Sequence, residues 1–420
     1  MSPRVPRWLG RIAQKRRSLI ALDALNFFMA DVQGGLGPFL GVFLQARHWL
    51  PADIGLVMSI GGLAGMAVTM PIGAWVDRTH AKRAVVIAAA LVITVASIAI
   101  LLRPVMPVAG AAQVATGIAG AAAGAAIAAI TLGLVRQRGF PRQLGDNAAC
   151  NHSGNVAAAG LAGLCGYLFG FGAVFVVLSA MAVFAVAAAW RIDPREIDHR
   201  AARGAAAHDG DGVAGFSILL RSRPLLAVGA TLTLFHLGNA AMLPLLGQAV
   251  AARGAGNASA FTGATIVVAQ LTMIPVALFA ARLAETRGYW LVFLIALIAL
   301  PVRGVIAATV GGAWGLLPVQ MLDGVGAGVL GVAVPGLVAR ILSGTGRINA
   351  GLGAVMTLQG VGAALSPTVG GIVAQRFGYP AAFLALGAIA TTALALWLAA
   401  RPVMAAPGAR QAAAQSKLAA

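Results

Sequence analysis

Charged residues are scarce in this chain of 420 residues: only 10% are charged, while 60% are hydrophobic. A soluble domain carries roughly 25% charged residues. So few charges cannot cover the surface of a water-soluble protein of this size. We therefore expect most of the surface to face lipid, and apolar runs of about 20 residues, the length that spans a bilayer core, recur along the whole chain.

Motifs for catalysis and for cofactors are also missing. The sequence contains no GxxxxGK[ST] phosphate-binding loop, no HExxH and no CxxC, and its six histidines are scattered. Cys150 and Cys165 would lie about 22 Å apart along one helix, which is too far for a disulfide. We therefore expect no enzyme activity, no catalytic residue, no metal and no cofactor.

The net charge of +18 comes from basic residues in short segments between the apolar runs, so we expect no nucleic-acid partner. With the N-terminus inside, 25 of the 30 basic residues face the inner side. Four lie in outer loops and Arg303 lies within a span. Because inner loops of membrane proteins are rich in Lys and Arg, this bias predicts a multi-pass protein of a bacterial inner (plasma) membrane with both termini cytoplasmic.

Twelve apolar segments are predicted to span the membrane as helices. In order they are Leu19–Leu44, Ile54–Val76, Ala84–Leu102, Val108–Val135, Asn147–Phe169, Phe171–Trp190, Pro224–Val250, Phe261–Ala284, Tyr289–Val310, Leu316–Leu342, Asn349–Ala374 and Pro380–Ala400. The polar segment between spans 6 and 7 reads as a cytoplasmic linker. We predict an N-terminal six-helix bundle (1–190), a linker (191–223) and a C-terminal bundle with a short cytoplasmic tail (224–420).

The two halves resemble each other when the chain is shifted by about 206 residues, as expected of two parallel repeats. Pro38 then matches Pro244, and Asp77 matches Glu285. Two further matches, near Gln113 and at Asn147, occur in the same order. Four matches in one order indicate an internal repeat of six helices joined by the linker.

Residues 73–83 read G-A-W-V-D-R-T-H-A-K-R. They resemble the G-x-x-x-D-R-x-G-x-[RK]-[RK] signature of the major facilitator superfamily, with His80 in place of the second Gly. A decayed copy at 281–288 contains Glu285 and Arg287. The resemblance covers the whole chain through the helix count, the linker and the repeat. It implies two six-helix bundles related by a pseudo-twofold axis, and secondary transport of a small-molecule solute.

The resemblance also implies a gating loop in which a carboxylate caps a helix and pairs with basic residues. Its members here would be Gly73, Asp77, Arg78, Lys82 and Arg83, with Glu285 and Arg287 in the second half. Two departures weaken an assignment as a drug–proton antiporter. Gln113 stands where family antiporters often have Arg, and span 5 lacks their Gly-Pro ending.

Polar residues within the spans are candidates for function, because an ionisable group costs several kcal/mol or more in mid-membrane. Asp31 would lie about 18–20 Å from the inner edge, just before the Gly/Pro-rich run 34–38. A carboxylate away from water is easily protonated, so we predict proton coupling at Asp31. A buried structural aspartate is the alternative. Arg303 and Asp323 fall at similar depth on consecutive spans, which predicts an ion pair of structural or switchable role; Arg303 could also bind an anionic solute.

In the family, spans 1, 4, 7 and 10 line the cavity. His236 and Asn239 share one face of span 7, at the depth of Asp31. We predict a second coupling role for Asp323. The predicted substrate cavity comprises Asn26, Gln33, Gln113, His236, Asn239, Arg303, Gln320, Asn155 and Gln359. Asn155 and Gln359 lie on spans 5 and 11, where hydrogen bonds between domains are an equal alternative.

Together these features predict a monomeric, lipid-embedded carrier of a small polar solute that exchanges protons and exports its solute as an efflux antiporter. Two alternatives stay open: a proton-coupled uptake symporter, and a transporter-like sensor or assembly partner without flux. The linker of about 33 residues has no room for a signalling domain. The solute, the direction and the choice between proton and sodium are not fixed by the sequence.

Overall fold

The structure, a computed structural model, describes residues 7–202, 222–254, 256–310, 313–343 and 348–404. Most of these residues are helical and none of them is in a β-strand. Helix is expected in lipid, because it satisfies the backbone N–H and C=O groups within one segment. The predicted all-α membrane fold is confirmed.

The helices are numbered here in chain order. They are α1 (Arg7–Val32), α2 (Pro38–Ala46), α3 (Pro51–Arg78), α4 (Lys82–Leu102), α5 (Met106–Phe169), α6 (Phe171–Arg191), α7 (His199–Ala202), α8 (Arg223–Asn239), α9 (Met242–Arg253), α10 (Ala258–Arg287), α11 (Tyr289–Thr309), α12 (Ala313–Ile341), α13 (Ile348–Phe377) and α14 (Tyr379–Ala399).

Ten segments in the described ranges are long and apolar enough to cross a membrane. They match predicted spans 2, 3, 4 and 6 to 12, with ends that agree within a few residues. The other two predicted spans, Leu19–Leu44 and Asn147–Phe169, are helical but are not among the ten. Both carry the polar side chains discussed below. Counted with the ten spans, these two helical segments are consistent with a twelve-helix arrangement.

Two predicted spans are broken rather than continuous. The first is interrupted at 33–37, where Gly35 and Gly37 have φ of +59° and +47°. Glycine adopts such left-handed conformations without a steric penalty. The seventh is interrupted between Asn239 and Met242. These two breaks occupy corresponding places in the repeat.

Spans 4 and 5 were predicted as separate helices joined by a loop at 136–146. The chain there is helical through most of the connection, and α5 runs through both spans. A single residue, Arg136, has non-helical angles (φ 58°, ψ −178°) and marks the kink. The expected loop is therefore a bend one residue long.

The chain divides into two compact units. The first holds residues 1–47, 60–209 and 257–267, and the second holds 48–59, 210–256 and 268–420. The predicted division at 190 and 224 follows the repeat in the sequence and stays a prediction. Residues 203–221 of the predicted linker lie outside the described residues.

The first unit is held together by small residues between its helices. Helix α1 packs on α5 and α6, and α4 packs on the same two helices. A Cβ atom at Gly154 of α5 would lie only 2.0 Å from the Phe27 carbonyl oxygen of α1. Gly154 therefore allows a backbone approach that a larger residue would prevent.

The second unit has the same kind of packing. Helix α8 packs on α13 and α14, and α11 packs on α12 and α14. Gly238 and Gly304 bring α8 and α11 against the α14 backbone. Trp397 of α14 is fully buried, with its ring stacked 4.7 Å from that of Phe293.

Two helices, α3 and α10, begin in one unit and continue in the other. Residues 48–59 belong to the second unit, where the Thr368 N–H donates to Ser59 Oγ over 3.1 Å. Residues 257–267 belong to the first unit, where Gly263 packs against Gly163. Helices α3 and α10 correspond in the sequence repeat.

We expect Gly154→Ala to destabilise the protein, whereas Gly160→Ala in the same helix should not. The added methyl group at Gly154 overpacks the contact between α1 and α5, at a cost of about 1–3 kcal/mol. At Gly160 a Cβ atom would meet nothing within 4 Å. Thermal unfolding of both variants in detergent measures the difference, and equal midpoints would contradict this packing.

Candidate functional site

Asp31 lies in the last turn of α1, next to the helix break. Gln33 follows the helix, and its Nε2 donates to the Gly120 carbonyl of α5 over 3.1 Å. A Cβ atom at Gly35 would lie 3.0 Å from Thr116 Cγ2, so the loop also packs closely on α5. Residues 33–37 therefore pack on α5, and these contacts fix the position of the neighbouring Asp31 backbone.

The Asp31 side chain is half-buried. Among the described residues none forms a hydrogen bond or an ion pair with its carboxylate. This distinguishes it from Asp23, two turns earlier in the same helix, whose Oδ1 accepts from Gln143 Nε2 over 2.7 Å. Asp31 is thus a membrane carboxylate to which the described structure gives no partner.

The other cavity candidates of the first unit have mixed surroundings. Asn26 is 8% exposed, and its Nδ2 donates to the Leu22 carbonyl of its own helix. The Asn26 amide is therefore already hydrogen-bonded. Gln113 packs against Gly61 of α3. Asn155 Nδ2 donates to Asn151 Oδ1 over 3.1 Å along α5.

A polar network near Asp23 was missed in the sequence. Gln143 Nε2 also donates to Asn147 Oδ1 over 3.1 Å, and Asn147 Nδ2 donates to Thr131 Oγ1 over 2.9 Å. Asn147 was noted in the sequence, but Gln143 fell in a predicted loop. The continuous helix around it brings its amide to Asp23.

In the second unit, one guanidinium joins three helices. Arg303 of α11 is 1% exposed, and its Nη1 donates to Asp323 Oδ1 of α12 over 2.7 Å. The same Nη1 donates to Asn239 Oδ1, the last residue of α8, over 2.6 Å. The ion pair expected from the depth of the two charges is present, and Asn239 is its third member.

Several polar atoms around this pair have no partner among the described residues. Arg303 Nε and Nη2 are buried and unpaired, and so are both amide atoms of Gln320. Gln320 is fully buried one turn from Asp323, on the same face of α12. His236 is half-buried one turn before Asn239, with its ring 5.2 Å from that of Phe235, and Gln359 is half-buried on α13.

The predicted gating loop is ordered mainly by Lys82. This side chain is fully buried and its Nζ donates to the carbonyls of Val76 (3.0 Å) and Thr79 (2.7 Å) at the end of α3. Arg83 Nη1 donates to the Ile192 carbonyl. Four other members of the predicted loops are exposed and have no such contact in the described structure: Asp77, Arg78, Glu285 and Arg287. Gly73 is half-exposed inside α3, and the gating role stays a prediction.

The start of the predicted linker, residues 192–202, is folded onto the first unit. The Asp193 N–H donates to Ser18 Oγ, and the Asp198 N–H donates to the Gly133 carbonyl. The backbone N–H groups of Ala201 and Arg200, together with the nearby Arg136 guanidinium, hold the pKa of Asp198 below its usual range. His199 packs against His80, the residue that replaces the signature Gly, at 4.6 Å between rings.

Comparison with protein families identifies the family to which this chain belongs. The family model described as Major Facilitator Superfamily matches residues 22–316. The chain belongs to the major facilitator superfamily. It is therefore a multi-pass membrane transporter and not an enzyme, and the expected fold of that superfamily is confirmed.

Two relatives are MFS-type transporters from Mycobacterium tuberculosis, strains CDC 1551 / Oshkosh and ATCC 25618 / H37Rv, both described as uncharacterized. Each is 42% identical to this chain over 395 residues, which is 93% of this chain and 94% of the relative. This similarity extends across both halves and the region between them.

Among solved structures, the nucleoside transporter NupG aligns with a TM-score of 0.73 at 14% identity, covering 92% of this chain and 98% of NupG. A bacterial homolog of the human lysosomal transporter Spinster, solved in an inward-facing and unoccupied conformation, aligns with a TM-score of 0.72 at 13% identity. It covers 94% of this chain and 98% of its own. At such identities the two structures show the shared fold alone.

We expect Asp323→Asn to destabilise this transporter by about 3–5 kcal/mol, because it leaves the Arg303 guanidinium buried without its counter-ion. A double variant, Arg303→Met with Asp323→Leu, should recover most of the loss. Arg136→Gln is the control, since that ion pair with Asp198 is open to solvent on the Arg136 side (74% exposed). Thermal unfolding in detergent measures all three, and an unchanged midpoint for Asp323→Asn would contradict a stabilising role of this ion pair.

Proposed function

We propose that this transporter carries a small polar organic solute across the bacterial inner membrane and exchanges it for protons at Asp31. The observation that carries the proposal is the Asp31 carboxylate, half-buried at the break between α1 and α2 without a partner among the described residues. An unpaired carboxylate in a membrane span is costly when charged. Taking up a proton removes that cost, so Asp31 is suited to load and release protons.

Asp323 has a different environment. Its carboxylate accepts a hydrogen bond from the Arg303 guanidinium over 2.7 Å, so its charge is paired. Protonating Asp323 would leave Arg303 as an uncompensated buried cation. Its predicted coupling role is therefore secondary: Asp323 holds Arg303 in place, and Asp31 exchanges the proton.

The polar side chains of both halves support a hydrophilic solute. Gln33 lies in the break of the first unit, and Gln113 lies one turn before Thr116, against which Gly35 packs. In the second unit Asn239 contacts Arg303. His236 lies one turn before Asn239, and Gln320 lies one turn before Asp323. Aromatic residues make up only 6% of the chain, which is few for a cavity that binds aromatic drugs. A polar solute can exchange hydrogen bonds with water for hydrogen bonds with these amides.

We propose that residues 1–190 and 224–400 move as two bundles that expose the solute site to each side in turn. The non-helical residues 33–37 and the turn at 240–241, where the Ala241 N–H donates to Ser366 Oγ, lie at matching places in the repeat. Each bundle therefore has a point where a helix can bend. The bias of basic residues supports cytoplasmic termini, and we propose a monomer. Export is the proposed direction, on the family resemblance alone.

Solute-driven proton flux in proteoliposomes tests this function. Wild-type protein, Asp31→Asn and Asp23→Asn are compared over polar anions, amino acids, neutral polar compounds and lipophilic cations. We expect flux with polar solutes for wild type, flux at least about tenfold lower for Asp31→Asn, and retained flux for Asp23→Asn, whose carboxylate is already hydrogen-bonded.

Two outcomes would contradict the proposal. Flux that survives Asp31→Asn would move proton exchange to another group. Flux only with lipophilic cations would exclude the polar solute. Correct folding of each variant is checked by its elution as a single species from size-exclusion chromatography.

A further inference from the structure

The Arg303 guanidinium is hydrogen-bonded through Nη1 alone, and its opposite edge is not hydrogen-bonded within the described structure. Its Nη1 donates to Asn239 and Asp323, while Nε and Nη2 are buried without a partner among the described residues. The Nε–H and one Nη2–H of an arginine point in parallel, at the spacing of the two oxygens of a carboxylate. The unused edge therefore has the geometry of a bidentate anion site.

We propose that this edge binds the carboxylate of a small organic acid, and that the Gln320 amide binds a polar group beside that carboxylate. The inference rests on the proposed function, since it names the chemical class of the solute.

Gln320 supports a ligand site independently of Arg303. Its side chain is completely buried, and neither Nε2 nor Oε1 has a hydrogen-bond partner within the described structure. Leaving both atoms buried and unpaired is costly, and an apolar residue would avoid that cost. An amide offers an NH2 group that donates and an oxygen that accepts, and this amide lies one turn from Asp323 on the face that carries the ion pair.

Charge favours a carboxylate over a phosphate. Arg303 and Asp323 together are neutral, so a bound carboxylate adds one negative charge to the buried cluster. A phosphate dianion would add two, next to the Asp323 carboxylate, and the cost of burying charge rises accordingly. A monoanionic acid with a neighbouring hydroxyl or amine group fits both the open edge and the amide.

The site is closed in this structure, because Arg303 is 1% exposed and Gln320 is 0% exposed. The Asp323 side chain is 16% exposed, so the cluster reaches a partly accessible surface there. Asn239 is the last residue before the break between α8 and α9, so bending there would move one of the groups that cover Nη1. Admission of the ligand thus requires the kind of rearrangement that a carrier undergoes.

Calorimetric titration of the purified full-length protein in detergent tests the inference. The probes are propionate, lactate and benzoate, each compared with its uncharged amide: propionamide, lactamide and benzamide. We expect at least one acid to bind at least about tenfold more tightly than its amide, because only the acid can accept both guanidinium N–H groups with a negative charge.

Three variants locate the site. Arg303→Lys keeps the charge but removes the fork, and should weaken acid binding about tenfold or more. Gln320→Leu should weaken binding of lactate more than that of propionate, because lactate carries the neighbouring hydroxyl. Arg376→Lys, at an exposed arginine on α13, should bind as wild type does. If Arg303→Lys unfolds, the acid–amide comparison and Gln320→Leu still decide.

Failure of the inference and failure of the proposed function give different results. Equal binding of acids and amides, or no binding of any acid at millimolar concentration, overturns the inference and assigns the unpaired atoms to water. Proton flux driven by neutral solutes alone would overturn it while the function stands. Acid binding that depends on Arg303, without flux in proteoliposomes, supports the inference and contradicts transport.

Discussion

Hydrocarbon cannot form hydrogen bonds, and this constraint governs the whole structure. Every backbone N–H and C=O group in the membrane must be satisfied within the protein, so the chain crosses as helices. Helices in lipid gain little from the hydrophobic effect when they associate, so they pack through Gly and Ala at close backbone approach. Any break in a helix, and any polar side chain within one, is costly and therefore informative.

The two units meet this constraint differently at their polar centres. In the second unit Arg303, Asp323 and Asn239 satisfy part of one another's hydrogen bonding, which fixes three helices at a buried point. In the first unit Asp31 has no such partner in the described structure and lies at a break that Gln33 seats on α5. We propose that the ion pair of the second unit serves solute binding and that the unpaired carboxylate of the first unit serves proton exchange.

The helices were predictable because hydropathy, length and charge bias each depend only on local sequence. The pairing of Arg303 with Asp323 followed from depth along consecutive helices. The break before Met242 was missed because its residues, Ala240 and Ala241, are ordinary helix formers. The hydrogen bond from Gln143 to Asp23 was missed because residues 136–146 are basic and polar, a composition typical of a loop. Tertiary contacts keep this segment helical, which the local sequence does not show. Residues 192–202 dock onto the first unit through hydrogen bonds to Ser18 and Gly133. These partners are distant in sequence, so no local pattern shows the contacts.

The central claim is that Asp31 changes its protonation when the transporter binds its solute. Infrared difference spectroscopy of the protein in lipid, with and without a solute that drives flux, observes the carboxyl C=O band directly. Proton exchange at Asp31 predicts a solute-dependent change in that band, present in wild type and in Asp23→Asn and absent in Asp31→Asn. A band that changes equally in Asp31→Asn, or no carboxyl change in wild type, would contradict it.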